Sequence, residues 1–82
     1  MNRDWVVLQL REAQQELSRT LAEIEADPDY DVGEFMVAMQ HLYHHLNTAW
    51  NSRNEAPARV ESCAEEDFYA WRRFPGDIYL GR

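Results

Sequence analysis

Apolar side chains recur at helical spacing in the first third of the chain. Successive members of the set lie three or four positions apart, which places them on one narrow face of a helix with 3.6 residues per turn. They are Val6, Leu10, Ala13, Leu17, Leu21 and Ile24. The intervening Gln, Glu and Arg residues favour helix, and no Gly or Pro interrupts them. The pattern predicts a first helix over residues 2–26, capped by Asn2 or Asp4.

A turn and a second helix are predicted next. Pro28 disfavours helical geometry in the residue before it, so the first helix must stop near Asp27. Asp31 and Glu34 have the spacing of a capping box, which predicts a second helix over residues 32–53. Its apolar row is Phe35, Met39, Leu42, Leu46 and Ala49. A connection of about five residues makes the helices antiparallel neighbours, and we expect them to pack through their apolar rows.

The last third of the chain has a weaker pattern. Helical periodicity lapses between residues 54 and 59. Ser62 and Glu65 then repeat the capping-box spacing and predict a short third helix over residues 63–73. Residues 74–82 are expected to form an extended C-terminal tail. The predicted fold is therefore a single all-α domain over residues 1–82, built on an antiparallel helical hairpin.

The hairpin alone does not account for the remaining large side chains. Met36, Tyr43 and Trp50 form a second row on the second helix. This row and further aromatic residues at both ends of the chain must be buried by another element or another molecule. The third segment can fold back as a lid, or a second copy can pair its hairpin with this one to make a four-helix bundle. The two arrangements can coexist. The candidate interface residues are Trp5, Met36, Tyr43, Trp50, Phe68 and Trp71.

Composition narrows the classes of partner. The 15 acidic residues outnumber the 8 basic ones and give a net charge of −7. This charge repels phosphate backbones and anionic membranes, so we expect neither nucleic-acid binding nor membrane docking. Eighty-two residues bury a limited core, which favours a homo-oligomer or another protein as the partner.

Compartment is inferred from three features. Cys63 is the only cysteine, so no intrachain disulfide forms, and a lone cysteine suits a reducing environment. Arg3 and Asp4 break up the apolar N-terminus, which argues against a signal peptide. The longest apolar run, residues 35–39, is too short to span a membrane. We expect a cytoplasmic protein.

The histidines are the only candidate metal ligands with a suitable spacing. His41 and His45 lie one helical turn apart, and His44 lies beside them. Two imidazoles on one helix can hold a metal if a neighbouring helix adds ligands, but no H-E-x-x-H motif is present. Glu12, Glu16 and Glu23 of the first helix are the possible additional ligands. A structural or surface role for the histidines is favoured over metal binding, and no cofactor is expected.

Other chemistries fit the sequence poorly. Asp27, Asp29 and Asp31 alternate as at the start of an EF-hand, but Ala38 occupies the position of the bidentate glutamate. Acidic residues directly after Cys63 oppose formation of a thiolate nucleophile. No glycine-rich phosphate loop is present. The sequence therefore favours a role without catalysis.

Three functions are carried forward as hypotheses. The first is a small helical protein-interaction or regulatory module that self-associates through its surplus apolar surface. The second is a metal-binding helical bundle that uses His41 and His45. The third is an acidic neutraliser of a basic protein partner, for which the only warrant is the charge of −7.

Overall fold

The computed structural model describes residues 1–81, and this part of the chain is helical without β-strands. Its four helices are α1 (Arg3–Ala26), α2 (Val32–Asn51), α3 (Pro57–Ser62) and α4 (Glu65–Trp71). The all-α fold class is confirmed, and α1 packs against α2 as the predicted hairpin. Arg82, the last residue of the predicted tail, lies outside the described residues.

The caps of the hairpin follow local chemistry. The side chain of Asn2 accepts a hydrogen bond from the backbone N–H of Trp5 at 3.2 Å, so Asn2 caps α1. The side chain of Asp31 accepts from the backbone N–H of Glu34 at 2.9 Å and caps α2 in the same way. The second helix ends at Asn51, two residues before the predicted end at Arg53, because residues 52–54 form a turn.

The residues buried between α1 and α2 differ from those that the sequence pattern predicted. The predicted apolar rows do not fill the space between the helices. The buried residues of α1 are instead mostly polar: Gln9, Ala13, Glu16 and Thr20. Ala38 and Thr48 of α2 and Ser52 just after it are buried, and His45 bonds to Gln9 across the contact. Ala13, Thr20 and Ala38 are small side chains that let the two helices approach, and the larger apolar side chains lie to one side.

The predicted third helix over residues 63–73 is present as the shorter α4, and an additional short helix, α3, precedes it. Two short helices occupy this region, and Cys63 lies between them with a left-handed backbone at φ 39°. Pro57 starts α3 because its fixed φ suits the first helical position, where its missing N–H costs nothing. Ser62 donates to the carbonyl of Arg59 and therefore does not cap α4.

Side-chain amides of α2 hold α4 and the tail in place. Asn51 Nδ2 donates to the carbonyls of Trp71 and Arg73 at 2.8 and 2.7 Å. Asn47 Nδ2 donates to the carbonyl of Arg72 at 3.1 Å. These bonds satisfy backbone acceptors just past the end of α4, where no helical partner remains. The third segment therefore folds back on the hairpin.

Within residues 1–81, no helix combines the length and the apolar character needed to cross a bilayer.

Candidate functional site

One side of the hairpin exposes a continuous set of large apolar side chains. Each of them is between 40% and 52% exposed, whereas a core side chain would be almost fully covered. We call this set the apolar face: Val7, Leu10, Leu17, Leu21, Ile24, Phe35 and Leu46. Met39 and Leu42 lie in the same α2 row and are partly buried. These are largely the rows that the sequence pattern identified, now placed beside the hairpin contact instead of inside it.

Helix geometry places both rows on the same side. In each helix the apolar row lies about a quarter turn, in the same rotational sense, from the residues that face the other helix. Because α1 and α2 run in opposite directions, equal displacements bring the two rows together. The apolar face is therefore one surface formed by two helices.

On the opposite side, α4 covers the end of the hairpin where α1 begins and α2 ends, while Leu8 on this side is 48% exposed. Trp71 is only 5% exposed, and its ring packs edge-on against Trp5 with centroids 6.3 Å apart. Phe68 lies against His44 with centroids 5.1 Å apart. We call this side the covered face, since the chain itself supplies its second layer.

A buried hydroxyl joins the covered face to the hairpin contact. Trp5 Nε1 donates to Ser52 Oγ at 2.7 Å, and Ser52 is fully buried. Ser52 Oγ in turn donates to the carbonyl of Thr48. The Trp5 ring is thus fixed at the end of the hairpin, where α1 begins and α2 ends.

The predicted interface residues separate into different surroundings. Trp71 is committed to packing inside the chain, and Trp5 is partly buried beneath it. Met36 and Tyr43 remain exposed on α2, and Phe74 of the tail packs against Tyr43 with centroids 5.0 Å apart. An interface through the whole set stays a prediction. The apolar face contains seven large apolar side chains that are each about half exposed, whereas Trp5 and Trp71 of the predicted set pack against each other inside the chain.

Of the two remaining predicted interface residues, Phe68 belongs to α4, and Trp50 contacts the tail. Trp50 Nε1 donates to Asp77 Oδ1 at 2.9 Å, and the guanidinium of Arg53 lies 3.8 Å from the centroid of the Trp50 ring. Arg53 Nη2 is also 3.9 Å from Asp77 Oδ2. Trp50 and Arg53 therefore hold the carboxylate of Asp77 from the tail of the same chain.

The histidines take part in contacts between the hairpin helices. His45 Nδ1 lies 3.0 Å from Gln9 Oε1, and His41 Nδ1 lies 3.7 Å from Glu16 Oε1. Glu16 also pairs with Arg19. Across the described part of the chain, no three His, Cys, Asp or Glu side chains converge in a metal-binding group. The geometry favours a structural role for His45.

The side chain of His44 has a lowered pKa. Partial burial, together with the nearby His45, Arg72 and His41, lowers the pKa of His44 below its ordinary value. The imidazole lies in an open groove of about 680 Å³ between α2, α4 and the tail. Phe68, Arg72 and Phe74 form the other wall of this groove. The polar side chains of Gln40, His41, Asn47 and Arg72 line the groove together with His44.

These features define an all-α hairpin protein with one covered and one uncovered face. Comparisons with known protein families, with curated proteins and with solved structures find no match to this chain.

Proposed function

We propose that this protein is a non-catalytic interaction or regulatory module whose working form is a homodimer. In this dimer the apolar faces of two hairpins pack together and complete a four-helix bundle. The observation that carries the proposal is the apolar face, in which seven large apolar side chains are each roughly half exposed. Because these side chains share one side of both helices, a second layer packed there would cover all of them together.

The area of the chain supports a missing layer. A folded monomer of 9.7 kDa is expected to expose about 5,100 Å². This chain exposes 6392 Å², which is larger by about 1,300 Å². The tail contributes part of the excess, since Tyr79 and Leu80 are about nine-tenths exposed. A standard interface buries about 800 Å² per partner, so the apolar face and its surroundings have enough surface for a stable dimer.

The dimensions of the chain also support a missing layer of helices. Its radius of gyration is 14.5 Å, whereas a compact domain of this length is expected near 12 Å. The shortest principal extent is 22 Å, which is about two layers of helix. Stacking a second hairpin on the apolar face adds the layers that a compact domain would have.

A matched pair of substitutions tests the proposal. Leu8 and Leu10 lie two positions apart on α1 and are 48% and 47% exposed, but Leu10 belongs to the apolar face and Leu8 points to the other side. Leu10→Glu places a charge in the dimer interface and is expected to raise the dissociation constant by about 100-fold or more. Leu8→Glu is expected to leave it within about threefold.

Sedimentation equilibrium of both variants measures the two constants. Circular dichroism checks that each chain remains helical. Equal effects of the two substitutions, or a wild-type chain that never dimerises, would remove the support for the proposal.

A further inference from the structure

Charge is distributed unevenly along the hairpin. The end that carries the α1–α2 turn has six acidic side chains and no Arg or Lys between residues 20 and 40. The six are Glu23, Glu25, Asp27, Asp29, Asp31 and Glu34. The opposite end, where α1 begins and α2 ends, contains Arg3 and Arg53 as well as Asp4 and Glu55. The two ends of the hairpin are therefore electrostatically different.

Two hairpins can stack face to face with two-fold symmetry in only two ways. If the symmetry axis runs along the helices, the turns of both chains lie at the same end, and α1 packs on the partner's α2. If the axis runs across the helices, the turns lie at opposite ends, and α1 packs on the partner's α1. The first arrangement brings twelve carboxylates together without a compensating cation, counting six from each chain between residues 20 and 40. The second places each acidic turn beside the mixed-charge end of the partner.

We propose the second arrangement, in which two copies pair with their turns at opposite ends and α1 packs antiparallel on the partner's α1. This inference rests on the proposed homodimer and adds its orientation and register. The first arrangement brings like charges together, and the second separates the two acidic turns, so the charge distribution favours the second orientation.

The residues of α1 are self-complementary in this orientation. If the two-fold axis passes beside Gln14, each residue of α1 faces the partner residue that lies equally far from Gln14 on the other side, so the two residue numbers add to about 28. Val7 then faces the partner's Leu21, and Leu10 lies beside the partner's Leu17. At the margin, Arg3 faces the partner's Glu25 and can form an ion pair. The single polar residue at the centre, Gln14, meets its own copy, where two amides can hydrogen-bond to each other.

The same axis fits the second helix. Glu16 lies opposite His41 across the hairpin, which places Gln14 at nearly the same height as Leu42. An axis at that height brings Leu42 near its own copy and sets Met39 against the partner's Leu46. Both rows of the apolar face are therefore symmetric about one point, as an isologous interface requires.

Cysteine cross-linking distinguishes the two orientations. The experiment uses the full chain with Cys63→Ser, so that an introduced cysteine is the only thiol. A disulfide needs Cα atoms within about 7 Å, which residues at a two-fold axis between packed helices satisfy and residues on diagonal helices do not. Gln14→Cys is therefore expected to form a covalent dimer with itself under mild oxidation. Gln15→Cys is the matched control, because its side chain points away from the apolar face.

A mixture of chains provides the opposite test. If the turns lie at the same end, Gln14 faces the partner's Leu42, so Gln14→Cys chains mixed with Leu42→Cys chains would form mixed disulfides. Self-linked Gln14→Cys with little Gln15→Cys product is the result we expect. Mixed disulfides as the main product, or no disulfide in a chain that sediments as a dimer, would overturn the orientation. A reduced chain that sediments as a monomer would instead overturn the proposed dimer itself, so the two failures are distinguishable.

Discussion

The two faces of the hairpin are built from similar helices but are completed in different ways. On the covered face, Trp71 of α4 packs against Trp5 and is almost fully buried. On the apolar face, leucines such as Leu10 and Leu17 remain about half exposed. A short chain has little material for a second layer, and this one uses α4 and the tail on one side only. The covered face is therefore stabilised within the chain, whereas the proposed dimer would supply the second layer on the apolar face.

The largest expected effect concerns the covered face. Trp71→Ala removes the main side chain of the second layer and is expected to lower the free energy of unfolding by about 3–5 kcal/mol. Because Trp71 lies away from the apolar face, the refolded variant should still dimerise. Urea unfolding measures the stability, and Tyr79→Ala, at a position 89% exposed, should change it by less than about 0.5 kcal/mol. Equal effects of the two substitutions would contradict the assignment of the covered face.

The apolar face gives the next effect and separates the two faces most sharply. Leu17 and Leu8 are 47% and 48% exposed in the single chain, so truncating either to Ala would cost a monomer about the same. In the proposed dimer Leu17 would become buried and Leu8 would not. Leu17→Ala is therefore expected to cost about 2 kcal/mol more per chain than Leu8→Ala. Thermal or urea unfolding at matched protein concentration measures the difference, and a difference near zero would argue for a monomer.

A smaller effect is expected inside the hairpin contact. Ser52→Ala removes the acceptor of the Trp5 Nε1 bond and leaves this donor partly buried without its partner. The expected loss in the free energy of unfolding is about 1–3 kcal/mol. The exposed Ser18 on α1 supplies the control, since Ser18→Ala breaks no bond of this kind and should be nearly neutral. A neutral Ser52→Ala would show that the hydroxyl is not required to hold α1 and α2 together.

The smallest expected effect is a dependence on pH near the groove. The pKa of His44 is lowered in the folded chain, so the unfolded chain binds a proton more readily as the pH falls through about 6.5. Stability is therefore lost as the pH falls through that unfolded value, and the loss levels off below the folded pKa. His44→Gln should remove this part of the pH dependence. Unfolding of both chains at about pH 8 and about pH 5.5 measures it, and identical pH profiles would contradict the effect.

The sequence was sufficient for the hairpin. The caps at Asn2 and Asp31 use the side-chain chemistry that their residue types favour, and Pro28 ends α1 where expected. Periodicity also identified the apolar rows correctly. These features depend on contacts a few residues apart, which a single sequence displays directly.

The sequence did not predict which side chains are buried where the helices and the tail meet. Periodicity shows which residues share a face, but it does not show what lies against that face. Gln9, Glu16 and Thr20 have the character of solvated side chains, yet they are buried between the helices. The short helix α3 was not predicted, because helical periodicity lapses between residues 54 and 59, although Pro57 is suited to the first position of a helix. The tail contacts of Asn47 and Asn51 join residues 20 or more positions apart, for which local pattern offers no signal.

Sedimentation equilibrium of the unmodified protein over a wide range of concentrations tests whether the apolar face packs against a second copy of this chain. We expect a mass of about twice 9.7 kDa that falls towards the single-chain mass only on dilution. A folded, helical chain that sediments at 9.7 kDa at every concentration would contradict it.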